Sequence, residues 1–155
     1  MRISALMVIL VGVAAAGTQD SAPRTPVQVT PSEIQWVDGP PSLPAGAKVA
    51  VLSGDPKKAG LFVMRLKLPA DYKIMPHSHP ADEHVTVLSG AINVTMGDTF
   101  DPAKGKALPA GSYALLPART NHFAFFKEET IIQLNNIGPW DITYANPADD
   151  PRKKK

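Results

Sequence analysis

Pro76-His77-Ser78-His79-Pro80-Ala81-Asp82-Glu83-His84, closed by Gly90 with six residues between it and the carboxylate, holds three of the chain's four histidines. In an extended backbone side chains alternate between faces, so His77 and His79 point the same way. Glu83 follows a Pro80-Ala81-Asp82 connection that can return it to the same pocket. Two imidazoles and a carboxylate converging on one point form a ligand set for a divalent first-row metal. A fourth donor is wanted, and the one histidine outside the segment is His122, which follows Pro117-Ala118-Arg119-Thr120-Asn121 and opens the apolar run Phe123-Ala124-Phe125-Phe126. His84 adjoins Glu83 on the same strand and is expected to face away from the pocket.

The spacing His77-x-His79, three residues, Glu83, six residues, Gly90 resembles the first motif of the cupin family. Gly111, five residues, Pro117, with His122 five residues further on, is similar to the family's second motif. The resemblance implies an all-β fold, a single-domain β-barrel of double-stranded β-helix (jelly-roll) type, from about Lys48 to Tyr144. It also implies one divalent transition metal (Fe, Mn, Ni, Zn or Cu) held by His77, His79, Glu83 and His122, and a homodimer. Three positions depart from the pattern. Asp71 stands where the first motif opens with Gly, Arg119 where the second has Gly, and Phe126 where it has Asn. Asp tolerates turn conformations, so the first change is mild. Arg119 brings a cation near the metal mouth. None of the three removes a donor.

A chain of 155 residues, 44% hydrophobic, is long enough for one buried core and too short for a second domain. Its net charge of +2 hides an asymmetry, because Arg152-Lys153-Lys154-Lys155 places four positive charges at the very end. Without those and Arg2, eleven basic residues face fourteen acidic ones. A mildly acidic barrel argues against nucleic acid as a partner, since phosphate binding needs clustered basic residues on a folded face. Sixteen prolines and eleven glycines without helical periodicity point to many short strands and tight turns.

Met1-Arg2 followed by the apolar run Ile3 to Ala16, with small residues at Ala14-Ala15-Ala16, reads as a signal peptide over residues 1–17. The run falls short of the ~20 apolar residues that a stable membrane span needs. Export to a periplasm or beyond is expected. The absence of cysteine rules out attachment of lipid through a cysteine and leaves the oxidising compartment unused for disulfides. Residues 18–31, rich in Thr, Gln, Ser and Pro, read as a flexible linker, 32–146 as the barrel and 147–155 as a basic polar tail.

Along the barrel, eight to ten short strands and no helix are expected. Ser32 to Val37 reads as a first edge strand with Trp36 on the outside, where it is also a candidate dimer contact. In Leu61 to Leu68, Phe62, Met64, Leu66 and Leu68 alternate with Arg65 and Lys67, the pattern of a half-buried strand. Val85–Leu88 and Ala91–Met96, linked by Ser89-Gly90, are expected to form a hairpin. Phe123–Phe126 and Thr130–Asn135 are expected to form a second, across Lys127-Glu128-Glu129. Closure of the sheet would hide the edges.

Three imidazoles and a carboxylate leave one or two metal positions open, enough to polarise an oxygen, lower the pKa of bound water or, with a redox metal, bring O2 and an organic molecule together. Strand alternation predicts Met75, Val85, Val87, Ala124 and Phe126 beside the metal, so the pocket reads as apolar. Tyr72, Tyr113 and Arg119 are the polar candidates for catalysis. The reading is a metal-dependent enzyme of dioxygenase or isomerase/lyase type acting on a small oxygenated organic compound. The alternative is a non-catalytic cupin that binds or senses a small ligand or metal, since cupins include both and a fold does not fix a function.

Overall fold

In a computed structural model describing residues 25–154, the alternation along residues 60–68 is realised as a strand with Phe62, Met64, Leu66 and Leu68 buried and Arg65 and Lys67 turned outward. The expected signal peptide and the first part of the expected linker lie outside the described residues. Among the described residues eleven strands follow one another: β1 Val37–Asp38, β2 Lys48–Ser53, β3 Gly60–Leu68, β4 Lys73–Ser78, β5 Glu83–Ser89, β6 Ala91–Met96, β7 Lys106–Pro109, β8 Tyr113–Leu116, β9 His122–Phe126, β10 Thr130–Gly138 and β11 Thr143–Tyr144. They pair antiparallel in two sheets, one ordered β1-β2-β3-β10-β5-β8 and the other β11-β4-β9-β6-β7. This is the all-β jelly-roll that the family resemblance implied. The core fills the space between the sheets, with Phe62, Leu68, Val85, Val87, Phe126 and Leu134 at 2% exposure or less.

Both expected hairpins are corrected. β5 lies in the six-stranded sheet and β6 in the five-stranded one, and β9 and β10 are divided in the same way. Short apolar runs around a Gly-containing link resemble a hairpin locally, but here the link carries the chain from one sheet to the other. Gly90 makes the crossing with φ 69°, and a Cβ at this position would lie 2.5 Å from the Glu129 carbonyl oxygen and 2.6 Å from Thr130 Oγ1. The two crossings are stitched together by fully buried Thr130, whose hydroxyl accepts from the Ala91 N–H at 3.2 Å and lies 3.1 Å from the Ala91 carbonyl and 3.0 Å from that of Glu128.

The first edge is shorter than expected. Pro31–Glu33 is a 3-10 turn, because Pro31 supplies the helical φ and Glu33 reaches back to the Thr30 N–H at 2.7 Å, so pairing starts at Val37. Trp36 packs on the barrel's outer surface beneath Lys67, whose ammonium sits 4.7 Å from the ring centre. At the other end, the residues read as a basic tail fold into two 3-10 turns, Pro147–Asp149 and Pro151–Lys153. Prolines at the first helical positions and the caps Asn146 and Asp150 explain them.

Candidate metal centre

Three strands and one strand end bring the donors together. His77 near the end of β4 pairs directly across from His122, the first residue of β9. His79 follows two residues later, and Glu83 opens β5 in the facing sheet. One nitrogen from each of the three imidazoles lies within 4.8 Å of the others. Glu83 Oε2 stands 3.2 Å from His122 Nε2 and 3.5 Å from His79 Nε2. All four side chains are buried.

The outward-facing nitrogens are tied down by main-chain carbonyls. His77 Nδ1 is 2.7 Å from the Met75 carbonyl oxygen, His122 Nδ1 is 3.1 Å from that of Thr120, and His79 Nδ1 is 2.7 Å from that of Asp141. A carbonyl only accepts, so each Nδ1 carries a proton, and in a neutral ring so placed Nε2 is left with a free lone pair. His79 Nε2 and His122 Nε2 are buried without a hydrogen-bond partner. Unpartnered buried nitrogens are costly, and their convergence beside a carboxylate is the arrangement that a cation satisfies.

Electrostatics complete the fit. Burial pushes the His77 imidazole down to about 3, helped by repulsion from His122 and His79. Burial also lowers His79, with Glu83 opposing. For Glu83 burial alone would raise the carboxyl, but the neighbouring imidazoles bring it to about 2. Neutral imidazoles beside an ionised carboxylate are the protonation states that ligation requires. The donors therefore could hold a divalent metal ion.

A pocket of about 380 Å3 opens over His77, His79 and Glu83, walled by apolar side chains that include Leu43, Val49, Met64, Leu66 and Trp140. A smaller cavity of about 30 Å3 lies against His77, Glu83 and His122, lined by Val85, Ala124 and Phe126 among others. Those three residues stand where strand alternation put them. Met75 and Val87 do not. The β4–β9 pairing slips by one residue between Ile74 and His77, so a bulge turns Ile74, rather than Met75, into the pocket beside His77. Val87 is packed in the core, away from both cavities.

The three catalytic candidates are all placed elsewhere. Tyr72 is buried beside Phe126 and donates its hydroxyl to the Pro44 carbonyl at 2.5 Å, and burial holds its phenol far above the usual range. Tyr113 is 58% exposed, its hydroxyl 2.7 Å from Nδ1 of outward-facing His84. The Arg119 side chain is exposed, and its contribution comes from the backbone, whose N–H donates to the His79 carbonyl at 2.8 Å. Asp71 and Arg119 are the two non-glycine residues with positive φ among those described, 63° and 58°. These are the two positions where the motif resemblance calls for Gly, so the left-handed turns persist without it. Two features escaped the sequence reading. Trp140 stacks on His79 with ring centres 4.2 Å apart and planes at 17°, and Asp141 supplies the carbonyl that orients the same ring. The aromatic residue after Gly138-Pro139 was the available signal for the first. A main-chain acceptor leaves none.

Comparisons with known proteins agree with this architecture. Residues 24–141 match the family described as the ChrR cupin-like domain. A search of curated proteins gave no match. Among solved structures, the polyketide cyclase RemF from Streptomyces resistomycificus is 13% identical with a TM-score of 0.66, over 83% of this chain and 92% of its own. An acetylacetone dioxygenase from Acinetobacter johnsonii is 16% identical with a TM-score of 0.64, over 86% and 85%. The complex of SigE with the anti-sigma factor ChrR from Rhodobacter sphaeroides aligns at 16% identity and TM-score 0.52, over 70% of this chain and 52% of the matched one. At such identities the likeness concerns fold alone.

Proposed function

The chain belongs to the ChrR cupin-like family, and on that premise we propose that it binds one divalent transition metal (Fe, Mn, Ni, Zn or Cu) and acts as a metal-dependent enzyme, of dioxygenase or isomerase/lyase type, on a small oxygenated organic compound. His77, His79, Glu83 and His122 would hold the ion. When bound, it supplies a Lewis acid for a substrate oxygen or, if redox-active, a partner for O2. The chain's own part is to bind and exclude. The walls around Leu43, Met64, Leu66 and Trp140 bury an apolar body and keep water out. The observation that carries the reading is the convergence of buried, unpartnered imidazole nitrogens on Glu83 in the lining of an apolar pocket.

A second reading, a non-catalytic module that binds or senses a small ligand or metal, is favoured by the position of Tyr72, Tyr113 and Arg119, none of which lines the pocket. The proposal extends to an exported protein, supported by the apolar run Ile3 to Ala16, and to a homodimer, supported by the family resemblance. The test is reconstitution of metal-free protein with each of the five ions, followed by oxygen uptake and product analysis with diketones, diphenols, flavonols and keto acids. One ion per chain is expected, lost in His77→Ala/His79→Ala, with turnover for at least one ion and substrate class. Stoichiometric binding without turnover would leave the second reading, and unchanged stoichiometry in the double variant would reject the site.

A further inference from the structure

The three imidazoles are not held in the same way. His77 and His122 are anchored two residues back along their own chain, to the carbonyls of Met75 and Thr120, so their orientation is built into β4 and the approach to β9. His79 instead depends on Asp141, 62 residues away, in the stretch between β10 and β11. That stretch also places Trp140 over the His79 ring. Trp140 is itself held by its main-chain N–H, which donates to the Pro56 carbonyl at 2.7 Å, while support for the two residues after it comes from the segment beyond β11. Arg152 donates through Nη2 to the Ile142 carbonyl at 3.0 Å and through Nη1 to Asp141 Oδ1 at 3.3 Å. The guanidinium is in turn fixed by Asp150, to which Nε donates at 2.8 Å and Nη2 at 2.9 Å. Asp150 is buried and caps the turn that carries Arg152, through its contact with the Arg152 N–H at 3.0 Å.

We propose that Arg152 is a positioning residue, clasping Asp141–Ile142 so that the Asp141 carbonyl and the Trp140 ring hold the His79 imidazole with Nε2 aimed at the other donors. The physical case is the planar fork of the guanidinium. Its donors are set at fixed angles, so engaging the Asp150 carboxylate orients the remaining N–H groups toward Asp141 and Ile142. Partners that orient a ligating histidine typically change metal affinity 10- to 100-fold when lost, and Arg152 acts one step further out, so roughly tenfold is expected. The consequence for affinity rests on the proposed metal site. The positioning of His79 does not.

Two measurements separate these. In metal-free protein, nitrogen NMR of the histidine rings in Arg152→Ala should shift and broaden the His79 Nδ1–H signal while leaving those of His77 and His122 in place. Unchanged His79 signals would overturn the proposal whether or not the protein binds metal. With Co(II) as the probe, Arg152→Ala should weaken binding roughly tenfold and alter the visible spectrum. The same substitution in a His79→Ala background should change affinity by less than twofold. An equal loss in both backgrounds would mean that Arg152 serves general stability, and it would overturn the proposal. Arg152→Lys keeps the charge without the fork and should recover less than half of the loss on a logarithmic scale. Full recovery would likewise refute the orienting role.

Discussion

His122→Ala removes the most deeply buried of the four proposed donors, and its effect can be worked out before measurement. His122 is 2% exposed, so truncation leaves a hole and changes metal-free stability by an amount unrelated to ligation. The informative quantity is therefore the extra stability that metal confers on each protein. A four-donor site binding with ~10–16 kcal/mol assigns about 3 kcal/mol to each donor, so losing one should weaken binding roughly 100-fold. With free metal at about 1,000 times the wild-type dissociation constant, the wild type gains ~4.1 kcal/mol. The variant, at about ten times its own constant, gains ~1.4 kcal/mol by the same relation. The difference of ~2.7 kcal/mol corresponds to a metal-induced rise in Tm smaller by roughly 10 °C for a domain of this size. Paired thermal melts with chelator and with metal, read by circular dichroism, measure it. A metal-induced increment equal in the two proteins would show that His122 is not a donor and that the convergence at Glu83 has another cause.

Acid should weaken the metal-free fold from the histidine side first. An unfolded histidine takes its proton near pH 6.5, whereas folded His77 resists to about 3 and His79 is also lowered. The His77 contribution is thus complete above pH 6.5 and is lost as pH falls toward 3, by up to ~1.4 kcal/mol per pH unit, and His79 adds to the loss in the same direction. Urea midpoints of chelated protein at pH 7.5, 6 and 5 should fall in that order, and a flat series would contradict the burial of neutral imidazoles. Gly90→Ala should destabilise by ~2 kcal/mol or more, since left-handed strain alone costs ~1–2 kcal/mol and a Cβ there meets the Glu129 carbonyl. Urea titration at constant m-value checks it, and a loss under 0.5 kcal/mol would count against the crossing geometry. Tyr113→Phe removes an exposed hydroxyl contact to His84, so stability should change by under ~0.5 kcal/mol and metal affinity not at all. A calorimetric change in affinity would place Tyr113 in the machinery after all.

Three of the proposed donors were legible because the local rules that place them act over a few residues, whereas His122 was reached only as the remaining histidine and through the motif resemblance. Strand alternation puts His77 and His79 on one face, and the Pro80-Ala81-Asp82 connection is too short to carry Glu83 elsewhere. Met75 was misplaced because a bulge changes the parity of a strand and leaves little trace in composition. The two expected hairpins failed for a related reason. A link such as Ser89-Gly90 specifies a sharp reversal, but whether the next strand returns to its neighbour or crosses to the opposite sheet is decided by packing across the core. Tyr72, Tyr113 and Arg119 are polar candidates for catalysis by residue type, and the residue type alone did not show that none of them lines the pocket. Arg152 stood in plain view as part of a charge run, and only the fold shows it reaching Asp141.

The parts of this molecule that could grip an ion and the parts that would choose its company belong largely to different pieces of chain. His77, Glu83 and His122 are set in strands, while part of the pocket's rim comes from the connections around Pro40 and Lys57, which supply none of the donors' hydrogen-bond partners. Changes of diet can therefore be written into the rim, by exchanging connections, with the seat beneath left as it stands. Among relatives built to this plan, a shared inorganic centre would be compatible with wide divergence in the organic molecule that meets it.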